Sequence, residues 1–275
     1  MTRRHELQRQ RASLDNIGEL MGAMKNIALL ECRRIAAFIE AQDSATATIE
    51  AAFADFAHDH AAELPSEPAP HEVWLLIGSE RGLCGDLNPR LAEHAAAQPP
   101  AAERQVLLVG SRLADRWTAP VTATLPGAQF AEEVQSVLLN LLATLVPLLD
   151  RPDGTPVGLH LFYLGESGLV QRQLLPIPKI TAQAVHRSHP VLLYLPPRDY
   201  LKVLLQQWLY AAIGSALYDA LLHENQMRLE HMEQARQRID DRVAALTNQA
   251  NIARQEEITQ EIELIQLSVA MDDPG

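Results

Sequence analysis

Apolar residues recur at alternating spacings of three and four along the first fifty residues of the chain. Nine of eleven positions in this pattern are apolar, which is the spacing of a coiled-coil seam. The positions are Leu14, Ile17, Met21, Met24, Ala28, Glu31, Ile35, Phe38, Gln42, Ala45 and Ile49. Because no proline occurs before Pro65, the pattern predicts one helix of about 50 residues and about 75 Å.

The C-terminal part repeats this pattern over a longer stretch that has no proline between Pro197 and Pro274. From Leu204 to Ala253, twelve of fifteen positions at the same spacing are apolar. The pattern predicts a helix of about 70 residues and about 105 Å. A helix with one apolar stripe gains most of its stability from packing, so we expect the two long helices to pair as an antiparallel coiled coil.

The end of the second helix differs from the rest, because apolar residues cover more than one of its faces. Its register shifts to Ile258, Ile262, Ile265 and Val269, and residues 261–271 read EIELIQLSVAM. A helix end that is apolar all round requires burial, and no remaining segment of the chain is placed to bury it. We therefore expect a partner that surrounds this end.

The middle of the chain alternates short apolar runs with helical patterns and follows a proline-rich linker at 64–72. This alternation predicts a Rossmann-like α/β domain with a largely parallel sheet, flanked in sequence by the two long helices. We expect segments 1–63 (N-terminal helix), 64–199 (α/β domain) and 200–275 (C-terminal helix). The predicted strands are 73–77, 106–109, 121–125, 157–164 and 191–195, and the predicted helices are 88–97, 111–117 and 131–149.

Composition and charge narrow the functional classes. The net charge of −12 and the pI of about 5.3 argue against a nucleic-acid partner. Two cysteines, Cys32 and Cys84, form no disulfide framework, which favours a reducing compartment. The N-terminus lacks the apolar segment of a signal peptide, and no run approaches the roughly 20 apolar residues of a bilayer span. We expect membrane association only through a partner, without direct insertion.

The stretch GSERGLCGDLN at 78–88 lies between a predicted strand and a predicted helix, as nucleotide-binding loops do. Its glycines, Gly78, Gly82 and Gly85, are spaced four and three apart, unlike G-x-G-x-x-G, and no Lys-Ser/Thr pair follows. Glu80 and Asp86 would repel a phosphate. We therefore predict no nucleotide or other cofactor, and assign the glycines to a tight turn and to packing against the following helix.

Histidine spacing and reactive side chains give no defensible metal centre or catalytic group. Three loose histidine pairs invite a metal search, but isolated surface or core histidines explain them better. No Ser-His-Asp or paired-carboxylate arrangement stands out, so we expect no catalysis by this chain alone. The pairs are His58 with His60, His186 with His189, and His223 with His231.

Three segments resemble the gamma subunit of F-type ATP synthases, and the resemblance covers essentially the whole chain in element order. GAMKNIALLECRR at 22–34 is similar to the family's Ala-Met-Lys stretch and its following basic pair. The 78–88 segment is similar to Ser-Asp-Arg-Gly-Leu-Cys-Gly-x-Leu-Asn, and NIARQEEITQEI at 251–262 to Asn-x-x-Arg-Gln-x-x-Ile-Thr-x-Glu. The matching residues are Ala23, Met24, Lys25, Arg33, Arg34, Ser79, Arg81, Gly82, Leu83, Cys84, Gly85, Leu87, Asn88, Asn251, Arg254, Gln255, Ile258, Thr259, Gln260 and Glu261.

The segment HENQMRLEHMEQARQRID at 223–240 departs from the family pattern. It keeps Glu224, Arg228 and Ala235 of the family's Ser-Glu-x-x-x-Arg-Met and Ala-Thr-x-Asn-Ala motifs. Arg236 and Arg238 stand where the second motif continues. Such departures are typical of a divergent branch, like the alternative bacterial ATPases that can pump sodium, so the coupling ion stays open between proton and sodium.

The resemblance implies a rotor shaft that turns inside a head of alpha and beta subunits and couples ion translocation to ATP synthesis or hydrolysis. The α/β domain would bind the membrane rotor ring and the epsilon subunit. The chain would then be peripheral, at the cytoplasmic face of a bacterial inner membrane. Two other classes stay open from the residues alone: an α/β enzyme with coiled-coil arms, and a tethering protein.

Five residues are the predicted partner contacts. Met24 lies on the first seam, where core packing is the alternative role. Lys25 lies about 100° off that seam; it is either a solvated lysine or, as the resemblance implies, faces an acidic stretch of a stator subunit. Arg254 borders the isoleucine stripe of the C-terminal helix on one side, and Gln255 and Thr259 border it on the other. We interpret these three as a polar clasp to the surrounding subunits, with a solvated flank as the alternative.

Overall fold

The computed structural model describes residues 3–64, 69–99, 103–151, 155–177 and 192–271, with the backbone alone over 266–271. Two long helices enclose a set of shorter elements in sequence. The helices are α1 (Arg3–Asp59), α2 (Leu87–Ala96), α3 (Ser111–Ala114), α4 (Val134–Leu149) and α5 (Pro197–Met271). The strands are β1 (His71–Ile77), β2 (Glu103–Val109), β3 (Ala123–Leu125), β4 (Val157–Gly165) and β5 (Gly168–Leu175), and 3₁₀ turns occur at Ala61–Glu63 and Ala131–Glu133.

The chain forms two compact units. One contains residues 28–228, and the other contains residues 1–27 together with 229–275. Helices α1 and α5 therefore each contribute a part to both units. Helix α1 has 57 residues and helix α5 has 75 residues. These lengths are close to the predicted values of about 50 and about 70 residues.

The unit of residues 28–228 contains one five-stranded sheet in the order β3-β2-β1-β4-β5. Strand β1 pairs in parallel with β2 and with β4, and β2 pairs in parallel with β3. The largely parallel sheet is thus confirmed. Strand β5 runs antiparallel to β4 and was not predicted.

The strand predicted at 191–195 is wrong over 192–195, since this segment contains no strand and leads into α5. Residue 191 lies outside the described residues. Most apolar side chains there face solvent, with Leu192 at 78% and Tyr194 at 94% exposure, whereas Leu193 packs against the larger core cluster. An apolar run alone does not fix a strand, because pairing with a neighbouring strand decides whether one forms.

Alternating residues of β1 divide the core into two layers. Val73, Leu75 and Ile77 pack into the larger cluster, which also contains residues of α4, of the end of α1 and of the start of α5. Trp74 and Leu76 pack on the opposite face, in a cluster with residues of α2 and α3. This alternation follows from the two-residue period of a strand, and helices on both faces are typical of a doubly wound fold.

Helix α4 is strongly apolar. Residues 131–149 are long and apolar enough to cross a membrane by length and composition, with a mean hydropathy of 1.3. In this unit Leu138, Leu141 and Leu145 of α4 are buried in the larger cluster. One apolar face of the helix is therefore used in the core of the sheet unit.

Helices α1 and α5 pair antiparallel in both units. In the sheet unit, Gln42 Nε2 donates to the Ala211 carbonyl at 3.1 Å, and the rings of Phe38 and Tyr218 stack with centroids 5.5 Å apart. In the other unit Lys25 pairs with Glu233, and Arg4 Nη1 lies 3.8 Å from Glu257 Oε2. Residue numbers fall along α5 as they rise along α1, so the predicted antiparallel pairing is confirmed.

The predicted seam of α5 is confirmed except at Arg236, since every other position from Leu204 to Ala253 is buried or half-buried. The seam of α1 needs a correction in one of its two lines. Ile17 and Phe38 are 40% and 41% exposed, whereas Cys32 and Ile39 are half-buried or better. At Ile17, Phe38 and Ala45 the seam of α1 is therefore shifted by one residue, to Gly18, Ile39 and Thr46, whereas the predicted positions Met24 and Glu31 are half-buried and buried.

Candidate functional site: the 78–88 loop and the long-helix surfaces

The loop after β1 is closed by hydrogen bonds within itself. The Ser79 side chain is fully buried, and the Ser79 backbone N–H donates to Asn88 Oδ1 at 3.0 Å. Asn88 Nδ2 donates to Ser79 Oγ at 2.7 Å, and the Cys84 thiol donates to the same oxygen at 3.3 Å. Burial raises the pKa of the Cys84 thiol, which fits a small buried side chain and not a nucleophile.

The Glu80 carboxylate binds backbone and side-chain donors beside this loop. It accepts hydrogen bonds from the Ser111 N–H at 2.9 Å, the Ser111 hydroxyl at 2.8 Å and the Gly127 N–H at 2.8 Å. Burial acts to raise the pKa of Glu80, but the hydrogen bonds from Gly127 and Ser111 outweigh it and lower that pKa below 4.5. The backbone donors beside this loop are thus already bound by the protein's own carboxylate.

Two of the three loop glycines have a steric role. A Cβ on Gly78 would lie 2.5 Å from Leu113 Cβ and 2.7 Å from Asn88 Oδ1, so this position needs close approach of α3. Gly85 has a φ of +64°, a conformation that favours glycine. A Cβ on Gly82 would meet nothing closer than 3.9 Å. The predicted turn and packing roles are confirmed for Gly85 and Gly78, while Gly82 has no steric need that the structure shows.

A buried polar group on α5 lies against the same loop. Glu224, Asn225 and Arg228 are 4%, 1% and 3% exposed, and Arg228 is ion-paired with Glu224. Arg228 Nη1 donates to Asn225 Oδ1 at 2.9 Å, and Arg228 Nε donates to the Gly82 carbonyl at 3.3 Å. Sequence reasoning noted Glu224 and Arg228 only as matches to a family pattern. Their i, i+4 spacing with opposite charge was the available signal that they pair.

The end of α5 presents apolar side chains to solvent. Ile258, Ile262 and Ile265 are 45%, 49% and 62% exposed, and Leu264 is 67% exposed. Within the described residues, no other segment of the chain covers them. Val269 lies among the residues whose side chains are not described. Against the described residues, Ile258, Ile262 and Ile265 therefore remain exposed, as the sequence predicted.

The polar residues that flank this stripe also face solvent. Arg254, Gln255 and Thr259 are exposed, and Thr259 Oγ1 donates only to the Gln255 carbonyl, at 2.9 Å, within the helix. In the described part of the chain, Arg254 makes no ion pair. The structure thus leaves its guanidinium free for a partner carboxylate.

Met24 and Lys25 lie on α1 in the same unit as the end of α5. Met24 is half-buried in this unit. Lys25 pairs with Glu233 of α5, and its hydrogen bond lowers the pKa of that exposed carboxyl. Lys25 therefore has a partner within the chain, and its predicted contact with a stator subunit stays a prediction.

Among the described residues, no group of three or more His, Cys, Asp or Glu side chains is placed to hold a metal ion. His186 and His189 lie outside the described residues. The histidine pairs that are described, His58 with His60 and His223 with His231, contribute to no such group.

Comparison with known proteins decides the family. The family model described as ATP synthase matches residues 3–266. The ATP synthase gamma chain of Ruminococcus albus is 22% identical over 278 residues, covering 95% of this chain and 96% of that relative. The chain belongs to the ATP synthase gamma family. As a member of the gamma family it is a central-stalk subunit, and ATP synthesis and rotary function follow from the family.

Solved structures of ATP synthases share this gamma-family fold. A chain of the rotor of the Euglena gracilis mitochondrial ATP synthase aligns with a TM-score of 0.67 at 14% identity, over 93% of this chain and 98% of that chain. A chain from the OSCP/F1/c-ring structure of the same enzyme gives 0.65 at 14% identity, over 98% and 94%. A chain from the Tetrahymena thermophila central stalk/c-ring structure gives 0.56 at 14%, over 78% and 99%. At this identity the likeness shows the fold alone.

Proposed function

We propose that the chain is the rotor shaft of an F-type ATP synthase and turns inside a head of alternating alpha and beta subunits. The proposal rests chiefly on the isoleucine stripe of α5, Ile258, Ile262 and Ile265, which is exposed in the part of the chain that the structure describes. A surrounding head would bury it. The gamma-family membership favours this role over an α/β enzyme or a tethering protein.

The mechanism requires that the shaft surface differ with direction. Each angle of the shaft must favour one conformation of a beta subunit by differential contacts, because a contact equal in all conformations shifts no equilibrium. The two sides of the stripe supply such a difference. Arg254 lies on one side, and Gln255 and Thr259 lie on the other, so different parts of a surrounding subunit meet a charge or an amide as the shaft turns.

Arg254, Gln255 and Thr259 form the polar clasp in this proposal. An Arg at the edge of an apolar bearing pairs bidentately with a partner carboxylate. Met24 and Lys25 of α1 are the further contacts, with Lys25 exchanging its bond to Glu233 for an acidic stretch of a stator subunit. Segments 1–63 and 200–275 are the shaft helices, and segment 64–199 is the part that binds the membrane rotor ring and the epsilon subunit.

In this proposal the chain carries no catalytic residue, cofactor, metal or nucleic acid and does not itself insert into the membrane. It lies peripherally at the cytoplasmic face of a bacterial inner membrane, and the coupled ion is proton or sodium. The 78–88 loop binds neither ATP nor NAD, since Glu80 already takes the Ser111 and Gly127 amides. Calorimetric titration of the purified chain tests this expectation, and a micromolar nucleotide site removed by Gly82→Val would contradict it.

Co-expression with the alpha and beta subunits of an F-type ATP synthase tests the proposed function. The chain is expected to co-purify with both in one complex that hydrolyses ATP. A chain that stays outside an otherwise assembled and active head would not be a central shaft.

A further inference from the structure

A crevice lies between the carboxyl ends of β1 and β4. It is the point at which the strand order reverses, because the chain adds strands first on one side of β1 and then on the other. Strands β2 and β3 lie on one side of β1, and β4 and β5 lie on the other. In doubly wound folds, ligands bind in the crevice at such a switch point, beside the loop that follows the first strand. The loop in that place here is 78–88, which begins directly after β1.

Helix α5 is bound to both strand ends of this crevice. After β4, the Glu166 N–H donates to Asp219 Oδ1 at 3.3 Å, and a Cβ on Gly165 would lie 2.2 Å from Asp219 Oδ2. Tyr163 at the end of β4 also hydrogen-bonds Asp219, and burial together with this carboxylate raises the pKa of Tyr163 to about 12. Asp219 of α5 lies so close to the backbone of Gly165 that no side chain could be placed at that residue.

After β1, the loop is held by the buried ion pair of α5. The Arg81 N–H donates to the Glu224 carboxylate, and the Gly82 carbonyl accepts from Arg228 Nε at 3.3 Å. The ion pair thus accepts one hydrogen bond from the loop, at Glu224, and donates another to it, from Arg228. Met227 packs at the same place, since a Cβ on Gly85 would lie 3.2 Å from Met227 Cε. In this fold the chain's own helix lies where a ligand would otherwise bind.

A buried ion pair is a poor way to gain stability, because the loss of hydration offsets much of the attraction between the charges. Burial raises the pKa of Glu224, and the Arg228 guanidinium and the Arg81 amide oppose that rise. A donor and an acceptor on successive turns of one helix do, however, fix both its rotation and its axial position. Arg228 is also the last residue of α5 in the sheet unit.

We propose that the Glu224–Arg228 pair, seated against Arg81 and Gly82 in the switch-point crevice, is the lock that transmits torque between α5 and the α/β domain. This inference rests on the proposed rotor function. Asn225 is a positioning residue, since it orients the Arg228 guanidinium at 2.9 Å and is itself held by the Leu221 carbonyl at 2.9 Å. Without the lock, α5 would keep its apolar packing but lose its fixed register against the loop.

Two variants remove the lock in different ways. Glu224→Leu with Arg228→Met replaces the pair by apolar side chains of similar volume, a change that buried pairs tolerate in stability. Arg228→Lys keeps a charge beside Glu224 but lacks the planar fork that reaches both Asn225 and Gly82. The control is Arg236→Gln with Asp240→Asn. That pair has the same i, i+4 spacing on the same helix but is 52% and 62% exposed, with its atoms 4.0 Å apart.

Amide hydrogen exchange in the full-length chain and coupling in the reconstituted enzyme are the two readouts. We expect exchange at the Arg81 amide to quicken by about tenfold, which corresponds to about 1.4 kcal/mol, in both lock variants and not in the control. In the enzyme with its membrane ring, ions pumped per ATP hydrolysed should fall in the lock variants, while the hydrolysis rate and the melting temperature stay near wild type.

Unchanged exchange in both lock variants would overturn the proposal, and so would quickened exchange with unchanged pumping per ATP. Failure of the wild-type chain to join an active head would instead count against the proposed rotor function, and exchange in the free chain would still decide whether the lock holds the loop.

Discussion

The isoleucine stripe of α5 allows a quantitative prediction for assembly. Full burial of an Ile side chain contributes about 1.5–3 kcal/mol. Ile258, Ile262 and Ile265 are 45%, 49% and 62% exposed, so together they present about one and a half side chains to a partner, or about 2–5 kcal/mol. Replacing all three with Ser should weaken binding to the alpha/beta head by about 30-fold to several thousand-fold.

The triple variant should not unfold the free chain. In the described structure the three side chains are already 45%, 49% and 62% exposed, so Ser removes only part of their burial, and Ser and Ile have similar helix propensities. Binding to a preformed head would be measured by titration, with circular dichroism of the free chain as the check on folding. The matched control is the same substitution at Glu256, Gln260 and Glu263, which lie about 140–160° from Ile258 around the helix.

The control triple should bind like wild type. If the stripe variant also binds the head like wild type while remaining helical, the stripe is not the bearing surface and the reasoning fails. If both triples lose binding equally, a general loss of helix at this end explains the result, and the stripe has no special role.

Three further predictions concern the loop and the helix pair. Glu80→Gln should lower the free energy of unfolding at pH 7 by about 1 kcal/mol, allowing for partial exposure. Because the folded pKa of Glu80 is depressed below 4.5, the difference in unfolding free energy from wild type, measured by chemical denaturation, should close as the pH falls through that folded value. A difference that widens there would contradict the assignment. Gly78→Ala should lower the free energy of unfolding by about 1–3 kcal/mol because the added methyl group overpacks the site, and Gly82→Ala should lower it by less than half as much. Equal losses of stability in the two variants on thermal melting would refute the steric argument. Lys25→Cys with Glu233→Cys should form an intrachain disulfide on oxidation, whereas links between chains alone would exclude the antiparallel pairing.

The long helices could be predicted because their signal is local and repeated. An apolar residue every three or four positions fixes both the helix and the face that it buries. Part of the α1 seam was nevertheless placed a residue too early, since Ile17 and Phe38 are apolar but 40% and 41% exposed. Apolar character alone therefore does not decide which side chains of a long helix are covered.

The strands of the sheet could be predicted only in part from the local sequence. Strands β1 and β2 end in continuous apolar runs that are buried on both faces, as parallel strands are, and β4 is apolar apart from its glycines and His160. The prediction of these three strands is confirmed. Strand β5 reads GLVQRQLL, and its polar residues hid it because an antiparallel edge strand has a solvated face. The apolar run at 192–195 caused the opposite error. It was predicted as a strand because it is apolar, but it does not pair with a neighbouring strand.

That the 78–88 loop binds no nucleotide stays a prediction from its glycine spacing, and the loop's contacts could not be derived from the sequence. Glu80 reaches Ser111 and Gly127, which are 31 and 47 residues away, and Arg228 reaches Gly82 across 146 residues. Such bonds depend on the finished fold, so sequence spacing carries no trace of them. The five predicted partner contacts, Met24, Lys25, Arg254, Gln255 and Thr259, stay predictions until the assembled complex is tested.

Rotation of a single complex tests the central claim most directly. The alpha/beta head would be fixed to a surface and a probe attached to the α/β domain of this chain through a cysteine at an exposed position. Addition of ATP should produce stepwise rotation of the probe in one direction, which stops when ATP is exhausted. Sustained ATP hydrolysis by complexes that contain the chain, with the probe stationary, would contradict the account.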